Sequence, residues 1–195
     1  MESVACALCG ADRTTELFRT KDRNWRLPGE FTVVRCAECG LVYVNPRPTP
    51  EEMAEFYPET FSVRPHFFKG TDGLAIQGTP WEMVMERKLA PLLKLKKSGR
   101  ILDVGCGDCL LLLYLQKKGW EVFGLEPRRD AVDLARKTFG LDVRPGLLEE
   151  SDFEKGSFDA LTLMHVFEHV HNPGEIARRI SELLAPDGIA LIDVP

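Results

Sequence analysis

The residues 103–110, Asp-Val-Gly-Cys-Gly-Asp-Cys-Leu, combine an acid, two glycines and two cysteines in one short stretch. An apolar run that is typical of a buried strand precedes them, and a helical run that ends at Gly119 follows. A strand that turns through glycines into a helix lets backbone N–H groups approach a ligand closely. We therefore predict a binding site for a nucleotide-like molecule at this turn.

The surroundings of the turn narrow the choice of nucleotide. A dinucleotide-binding turn has a third glycine where this chain has Leu110, and a phosphate-binding loop continues with Gly-Lys-Ser/Thr, which does not follow here. What remains is Asp103 before the turn and Glu126, which lies 19 residues after Gly107 at the end of the next predicted strand. A carboxylate in that place can accept hydrogen bonds from both hydroxyls of a ribose.

Cys106 and Cys109 leave a second interpretation of the same turn. A C-x-x-C pair that follows a strand and begins a helix is also typical of thioredoxin-like redox sites. We favour the nucleoside site, because the redox interpretation makes Asp103, the two glycines and Glu126 coincidences.

Two matched C-x-x-C-G turns hold the other four cysteines, which are Cys6, Cys9, Cys36 and Cys39. Each turn aims two thiolates at one point, and two such turns supply the four soft ligands of a tetrahedral zinc ion. Because cysteine fills all four positions and leaves none open for water, we predict a structural and not a catalytic zinc. So small a module needs the metal for its folding energy, as in a zinc ribbon.

The composition limits which classes of protein the chain can belong to. The chain has 195 residues, of which 44% are hydrophobic and 28% charged, and its formal net charge is −5. Residues 1–50 carry seven Lys/Arg and six Asp/Glu, which leaves −6 for the remainder, so neither part has the basic excess of a nucleic-acid-binding protein. The first 25 residues lack the basic start and apolar core of a secretory signal, so we expect none, and no apolar run reaches the ~18 residues that a membrane helix needs. We expect a cytoplasmic protein whose cysteines do not form disulfides.

The elements that must position these residues alternate regularly after residue 98. Strands are predicted at 100–104, 121–126, 142–144, 158–164 and 189–194, and helices at 110–118, 129–139 and 174–184. This alternation predicts an α/β fold with a doubly wound, mostly parallel, Rossmann-like sheet. Ligands bind beyond the carboxyl ends of such strands, where the glycine turn, Glu126 and His165 should converge.

We predict three parts of the chain: a zinc-ribbon module at 1–45, a linker and helical or lid segment at 46–98, and the Rossmann-like domain at 99–195. In the middle part, Thr49 should be the N-cap of a short helix. A longer helix is predicted at 81–97, which Pro91 should kink or divide.

Two irregular stretches complete the predicted organisation. Residues 58–80 form either a lid over the ligand site or a connector. Residues 186–188, Pro-Asp-Gly, predict a turn before the last strand.

Residues 103–109, Glu126 and residues 158–170 together resemble the class I S-adenosylmethionine-dependent methyltransferases. The paired cysteine turns, with Asn-Pro-Arg-Pro at 45–48 and Phe-Tyr-Pro at 56–58, resemble a subgroup of that family that carries an N-terminal zinc ribbon. The resemblance implies a methyltransferase with S-adenosylmethionine as cofactor, in addition to zinc.

The same resemblance implies one set of residues around the cofactor: Asp103, Gly105, Cys106, Gly107, Glu126, Pro127, Leu147, Leu148 and His165. Among them, Glu126 would bind the ribose hydroxyls and Pro127 would lie near the adenine. Many family members use an acid after the third strand to contact the adenine amine. This chain has no clear acid at the usual place, so the expected contact is a backbone group near Leu147 or Leu148.

Candidate bases follow the fourth predicted strand. Methyl transfer from a sulfonium needs in-line positioning of the acceptor and, for a hydroxyl or a carbon acid, removal of its proton. The titratable residues there are His165, Glu168, His169 and His171. We predict the first three as the catalytic candidates, and His165 is best placed at the strand end. The alternative is that His165 contributes mainly backbone and shape, while Glu168 and His169 stabilise the next turn.

The chain departs from the family pattern in two places. Cys109 stands where many members have a third glycine, and the sequence ends after the fifth predicted strand, where members usually continue with two more.

We expect a small molecule, a sugar or another metabolite as methyl acceptor, with no nucleic-acid or membrane partner. A homodimer is compatible with the sequence. An RNA methyltransferase, or a cofactor-binding or partner-binding protein without transferase activity, are the alternatives.

Overall fold

The computed structural model describes residues 1–23, 28–53 and 78–195. The chain divides into two compact units, Met1–Phe61 and Ser62–Pro195. Among the helices of the described residues, none is both long and apolar enough to cross a bilayer.

The first unit contains a small antiparallel sheet of three strands. These are β1 (Thr14–Thr20), β2 (Phe31–Cys36) and β3 (Val42–Val44), with β2 in the middle. Each C-x-x-C turn is closed by its glycine, since Gly10 N–H donates to Cys6 O (2.8 Å) and Gly40 N–H donates to Cys36 O (3.1 Å). Both glycines have φ angles near +80° (+76° and +79°), a left-handed conformation that glycine adopts without strain.

The second unit is an α/β domain, as the sequence predicts. Its helices and strands, in chain order, are α1 (Pro80–Leu95), β4 (Gly99–Val104), α2 (Leu110–Lys117), β5 (Trp120–Glu126), α3 (Arg129–Phe139), β6 (Asp142–Pro145), β7 (Phe158–Met164), α4 (Pro173–Leu183) and β8 (Leu184–Asp193). The five strands pair in parallel in the order β6-β5-β4-β7-β8. The order reverses between β4 and β7, which is the switch point at which doubly wound sheets bind ligands.

Alternate residues of the strands pack against opposite layers of helices. Ile101 and Val122 belong to a buried cluster with residues of α1, α2 and α3, whereas Leu102 and Phe123 belong to a second cluster with residues of α4. Full burial of one such side chain contributes roughly 1.5–3 kcal/mol. The two layers thereby hold the strand ends at which the site lies.

Helix α1 is continuous, so the division predicted at Pro91 is wrong. Thr79 caps its first turn, with Oγ1 accepting from Glu82 N–H at 3.3 Å. Pro91 has no N–H for the preceding turn. Leu89 and Leu92 are both buried on either side of it, and their packing keeps the helix in one piece to Leu95.

The prediction that a turn at residues 186–188 precedes the last strand is wrong, because these residues lie inside β8. Phe158 of β7 pairs with Leu184, and Ala160 pairs with Ile189. A step of two residues on β7 thus matches a step of five on β8. The Pro-Asp-Gly sequence is accommodated as an irregularity of the strand, where a missing N–H costs no ladder bond.

The predicted cap at Thr49 is confirmed. Thr49 Oγ1 accepts from Glu52 N–H at 3.3 Å, and Glu52 Oε2 accepts from Thr49 N–H at 2.9 Å, which together form a capping box. Most of residues 58–80, predicted as a lid or a connector, lies outside the described residues.

Candidate active site

The glycine turn lies at the carboxyl end of β4 and is joined to the end of β5. The N–H groups of Gly105 and Cys106 both donate to Leu125 O, at 2.7 and 3.2 Å. Gly105 has φ +68°, and a Cβ there would lie 2.6 Å from Val166 Cγ2. Only glycine therefore fits position 105, on grounds of both backbone conformation and space.

Glu126 is buried at the end of β5 and reaches the turn. Its Oε2 accepts from Gly107 N–H at 2.9 Å, and its Oε1 accepts from Arg128 N–H at 3.1 Å. Each carboxylate oxygen has two lone-pair sites, so each keeps one for a ligand hydroxyl. The two oxygens are thus held in place and still able to accept a pair of hydrogen bonds.

Asp103 is the last acid before the turn and is only 4% exposed. Its Oδ1 accepts from the buried Thr162 hydroxyl of β7 at 2.7 Å. Burial raises the pKa of Asp103 to about 7; the Thr162 bond lowers it, and the charges of Asp108 and Glu126 raise it. A ligand cation beside Asp103 would restore the ionised form.

Cys106 and Cys109 lie side by side under the turn, both buried, with their Sγ atoms 3.7 Å apart. The hydrogen bond from Cys109 and burial both raise the pKa of the Cys106 thiol. Thioredoxin-like sites instead expose a cysteine whose pKa is lowered. The geometry therefore favours the nucleoside interpretation of this turn over the redox one.

Cys109 adopts a left-handed conformation, with φ +59° and ψ +12°, immediately before α2. Such a conformation costs a residue with a Cβ about 1–2 kcal/mol, whereas glycine adopts it freely. Position 109, where the resemblance predicts a third glycine, thus has a backbone conformation that glycine favours.

We expect Cys109→Gly to have a free energy of unfolding about 1 kcal/mol higher than that of Cys109→Ala. Both variants remove the sulfur, but only alanine keeps the strained Cβ. Urea unfolding of the two variants measures the difference. Equal stability would show that the left-handed conformation carries no strain here.

The residues predicted near the adenine differ in their exposure. Pro127 is exposed after β5, and Gly146 N–H after β6 donates to Glu126 O at 3.2 Å. Leu147 is 45% exposed and, with Gly146, lines an open pocket of about 710 Å³. Leu148 is buried in the core, so its side chain is not available to a ligand.

His165 directly follows β7 and has an unusual backbone, with φ +56°. Its N–H donates to Asp193 O at 2.9 Å, and its imidazole Nε2 lies 3.2 Å from Asp193 Oδ2. Its neighbour Val166 is the residue that touches Gly105. The β7 end and the glycine turn are therefore in direct contact.

Glu168 and His169 lie on the short turn after His165, which is the 3₁₀ segment Phe167–His169. Glu168 Oε1 is 3.7 Å from His165 Nδ1 and 3.8 Å from His169 Nε2. His169 N–H donates to Val166 O. Glu168 therefore lies between the two imidazoles, and all three predicted bases belong to one cluster.

Sequence reasoning missed two members of this cluster, Lys88 and Asp193. Lys88 Nζ of α1 lies 2.5 Å from Asp193 Oδ2 and 3.1 Å from His165 Nε2. Asp193 could have been found, since it ends the fifth strand at the ligand edge of the sheet. No sequence pattern distinguishes Lys88 from other lysines of an amphipathic helix.

The four cysteines of the first unit form a separate cluster. Their Sγ atoms all lie within 4.8 Å of one another, which suits four ligands around one ion. Cys6 and Cys36 are buried, and Cys9 and Cys39 are exposed. Hydrogen bonds from the backbone N–H groups of Cys39 and Glu38 lower the pKa of the Cys36 thiol to about 6, so a thiolate is available at neutral pH.

Comparisons with known proteins identify the family of the second unit and proteins with a similar fold. Residues 82–195, more than half of the chain, match the family model described as "Methyltransferase domain". The ubiquinone biosynthesis O-methyltransferase of Azorhizobium caulinodans is 33% identical over 111 residues, which cover 54% of this chain and 42% of that protein. The protein of the same name from Xanthomonas oryzae pv. oryzae is 37% identical over 95 residues, 46% of this chain and 40% of that one. The chain thus spans about two fifths of the length of these relatives.

Solved structures with a similar fold include the PH0226 protein from Pyrococcus horikoshii OT3, with a TM-score of 0.52, 24% identity, and coverage of 69% of this chain and 62% of that chain. They also include coclaurine N-methyltransferase bound to N-methylheliamine and SAH, with a TM-score of 0.54, 19% identity, and coverage of 71% and 45%. These likenesses concern the fold. Together with the family match, they show that the chain belongs to the methyltransferase-domain family and has the fold of the class I S-adenosylmethionine-dependent methyltransferases.

Proposed function

We propose that this chain transfers the methyl group of S-adenosylmethionine to a small-molecule acceptor. The observation that carries the proposal is Glu126, a buried carboxylate that holds Gly107 N–H at the switch point of the sheet and keeps one acceptor site free on each oxygen. That arrangement suits a vicinal diol such as the ribose of the cofactor.

The residues of the turn fit the rest of the cofactor. The space that a Cβ at Gly105 would fill belongs to Val166, so the turn packs directly against the segment after β7. We assign the amino-acid part to Asp103, Gly105, Cys106 and Gly107, where an ammonium group would pair with the buried Asp103 carboxyl. S-adenosylmethionine supplies a methyl group that is already activated on a sulfonium.

The adenine is assigned to the ends of β5 and β6. Pro127 and Leu147 are the exposed apolar side chains there, and the Leu147–Leu148 backbone is the candidate for the polar contact. His165 would border the transferred methyl, because its neighbour Val166 touches the turn.

Calorimetric titration of the full chain with S-adenosylmethionine and S-adenosylhomocysteine tests this proposal. We expect saturable binding of both at one site per chain. A folded, zinc-loaded chain that binds neither compound would refute the cofactor assignment.

A small-molecule acceptor is supported by charge and by the relatives. The chain has a formal net charge of −5, which disfavours a polyanionic acceptor such as RNA. The matched curated relatives are named as O-methyltransferases of ubiquinone biosynthesis. Salt-sensitive binding of RNA by the full chain would instead favour the RNA methyltransferase alternative. A cytoplasmic location stays a prediction.

We also propose that Cys6, Cys9, Cys36 and Cys39 hold a structural zinc ion. Four thiolates around one divalent ion fill a tetrahedral shell, so no position is left for a substrate or an activated water. The ion would stabilise the first unit, whose three short strands bury few side chains.

Cys9→Ser should reduce the zinc content from about one ion per chain to well below one, because a hydroxyl is a poor zinc ligand beside three thiolates. Metal analysis of the purified chain measures this. Cys109→Ala is the matched control, since it removes a thiol outside the cluster, and should keep its zinc. Full zinc content in Cys9→Ser would exclude Cys9 as a ligand.

A further inference from the structure

The cluster of Lys88, His165 and Asp193 brings together side chains from α1 and from the ends of β7 and β8. Their exposed fractions are 24%, 52% and 27%, so they are shielded from solvent in part but accessible to a small ligand. His165 keeps its left-handed backbone although it carries a side chain, and such outliers concentrate at functional sites.

A donor and an acceptor, Lys88 and Asp193, both lie within hydrogen-bond distance of His165 Nε2. An ammonium group has three donors and no acceptor, so Nε2 can meet Lys88 Nζ at 3.1 Å only as an acceptor. Asp193 Oδ2 lies 3.2 Å from the same Nε2, but it already accepts from Lys88 Nζ at 2.5 Å, the contact of an ammonium–carboxylate pair. This pairing favours the neutral tautomer that carries its proton on Nδ1 and presents a lone pair at Nε2.

We propose that Lys88 and Asp193 prepare His165 as the general base for a hydroxyl acceptor, whose oxygen binds between Lys88 Nζ and His165 Nε2. The inference rests on the proposed methyl transfer and assigns its acceptor side. Lys88 would contact the acceptor oxygen, and Asp193 acts as a positioning residue for both partners.

The proton and the charges balance in this arrangement. The acceptor hydroxyl takes the place of Lys88 at Nε2 and gives its proton to that nitrogen, while the oxygen forms its bond to the methyl carbon. The carbon–sulfur bond breaks, and its electron pair stays on sulfur, which becomes a neutral thioether. The imidazolium N–H then faces Asp193 Oδ2, 3.2 Å away. Lys88, still paired with Asp193, donates to the acceptor oxygen as its negative charge develops.

The cluster favours an oxygen over a nitrogen acceptor. A group that only donates stabilises an oxygen that becomes negative, but it gives nothing to a neutral amine, which must point its lone pair at the methyl. A protonated amine would be repelled by Lys88. On the Nδ1 side of the imidazole, the described residues also place Glu168, whose Oε1 is 3.7 Å from Nδ1, and His169, whose Nε2 is 3.8 Å from the same Oε1.

Nitrogen NMR of the full chain with ¹⁵N-labelled histidine tests the proposal, because the chemical shifts distinguish a protonated from an unprotonated ring nitrogen. His165→Gln identifies the signals. For the neutral form of His165 in the wild-type chain, we expect Nδ1–H and an unprotonated Nε2. Lys88→Met should reverse the tautomer, since Nε2–H can then donate to Asp193. Lys94→Met, a change of an exposed lysine on the same helix, should leave it unaltered. An Nε2–H tautomer in the wild-type chain would overturn the proposal.

Binding of 4-nitrophenol tests the acceptor side, because its absorbance reports whether it is bound as the phenolate. We expect the phenolate bound by Lys88→Met to fall about tenfold below that bound by the wild-type chain, with partial recovery in Lys88→Arg and no change in Lys94→Met. The amine 4-nitroaniline should not discriminate between the wild-type chain and Lys88→Met. Equal phenolate binding by these two chains would overturn the oxygen assignment.

These measurements separate the inference from the proposed function. Both can be made with and without S-adenosylhomocysteine. Failure to bind that compound counts against the methyltransferase assignment, whereas the tautomer and the phenolate report on the cluster itself.

Discussion

Glu126→Ala is expected to weaken the binding of S-adenosylmethionine by about 100-fold or more. A hydrogen bond to a charged group contributes about 1.5–3 kcal/mol, and the substitution removes two of them from the ribose, so the loss is at least about 3 kcal/mol. It also removes the acceptor for Gly107 N–H and Arg128 N–H, which loosens the turn that must hold the ligand. Calorimetry of the variant with S-adenosylmethionine measures the loss.

Glu121→Ala is the matched control for this experiment. Glu121 lies on the same strand, but its side chain is 63% exposed, and its ion-pair partner among the described residues is Arg100. We expect wild-type affinity in this control and unchanged zinc content in both variants. Glu126→Gln keeps one acceptor oxygen, so its affinity for S-adenosylmethionine should lie between those of the wild-type chain and Glu126→Ala. Wild-type affinity in Glu126→Ala would show that the ribose is bound elsewhere.

The ligand-free chain should lose stability as the pH rises from about 4 to about 7, and Asp103→Asn should abolish that loss. Burial raises the pKa of Asp103 to about 7 in the folded chain, whereas an unfolded aspartate titrates near 3.9. The folded state then binds the proton more tightly than the unfolded state, so protonation stabilises the fold, and this contribution disappears as the pH approaches 7. A difference of about 3 pKa units corresponds to about 4 kcal/mol.

Urea unfolding between pH 4 and 8 measures this effect. At pH 8 we expect Asp103→Asn to have a free energy of unfolding a few kcal/mol above that of the wild-type chain, because Asn keeps the acceptor for Thr162 without the buried charge. The free energies of unfolding of Asp103→Asn and the wild-type chain should become equal near pH 4. Asp133→Asn, an exposed acid on α3, serves as control. Parallel pH profiles of the wild-type chain and Asp103→Asn would exclude a raised pKa at this position.

Asp103→Asn should also bind S-adenosylmethionine more weakly, since the proposed partner of the ligand ammonium is then uncharged. This one substitution would thus raise the free energy of unfolding and lower the affinity for S-adenosylmethionine. Such an opposition is expected where a site holds a destabilising group for the sake of its ligand.

The sequence predicted the fold well where the pattern is local. The alternation of apolar runs and helical periods places β4 to β7 and the helices between them within a residue or two of the observed bounds. The division of the helix at Pro91 and the strand boundary at residues 186–188 were wrong, because tertiary packing and strand pairing overrode a local breaker signal.

The candidate site likewise contains some residues that the sequence can predict and others that it cannot. Asp103, the glycines and Glu126 could be predicted because a known ligand chemistry needs those residue types at that spacing. Lys88 could not, since it meets Asp193 from 105 positions away and only the packing of α1 brings it there. Likewise, the hydrogen bond that Gly107 N–H donates to Glu126 depends on the three-dimensional structure, and the spacing of the two residues does not predict it.

The contact between Val166 and position 105 has a consequence for how this protein can change over evolution. A side chain that binds the cofactor end of the site is excluded at 105 because the segment that carries His165 already occupies that volume. The same contact limits residue 166, where a bulkier side chain would push against the turn. If the proposed acceptor side is right, then among the described residues α1, β8 and the residues after 166 are where we expect substitutions to change acceptor preference while the turn at 105 stays the same.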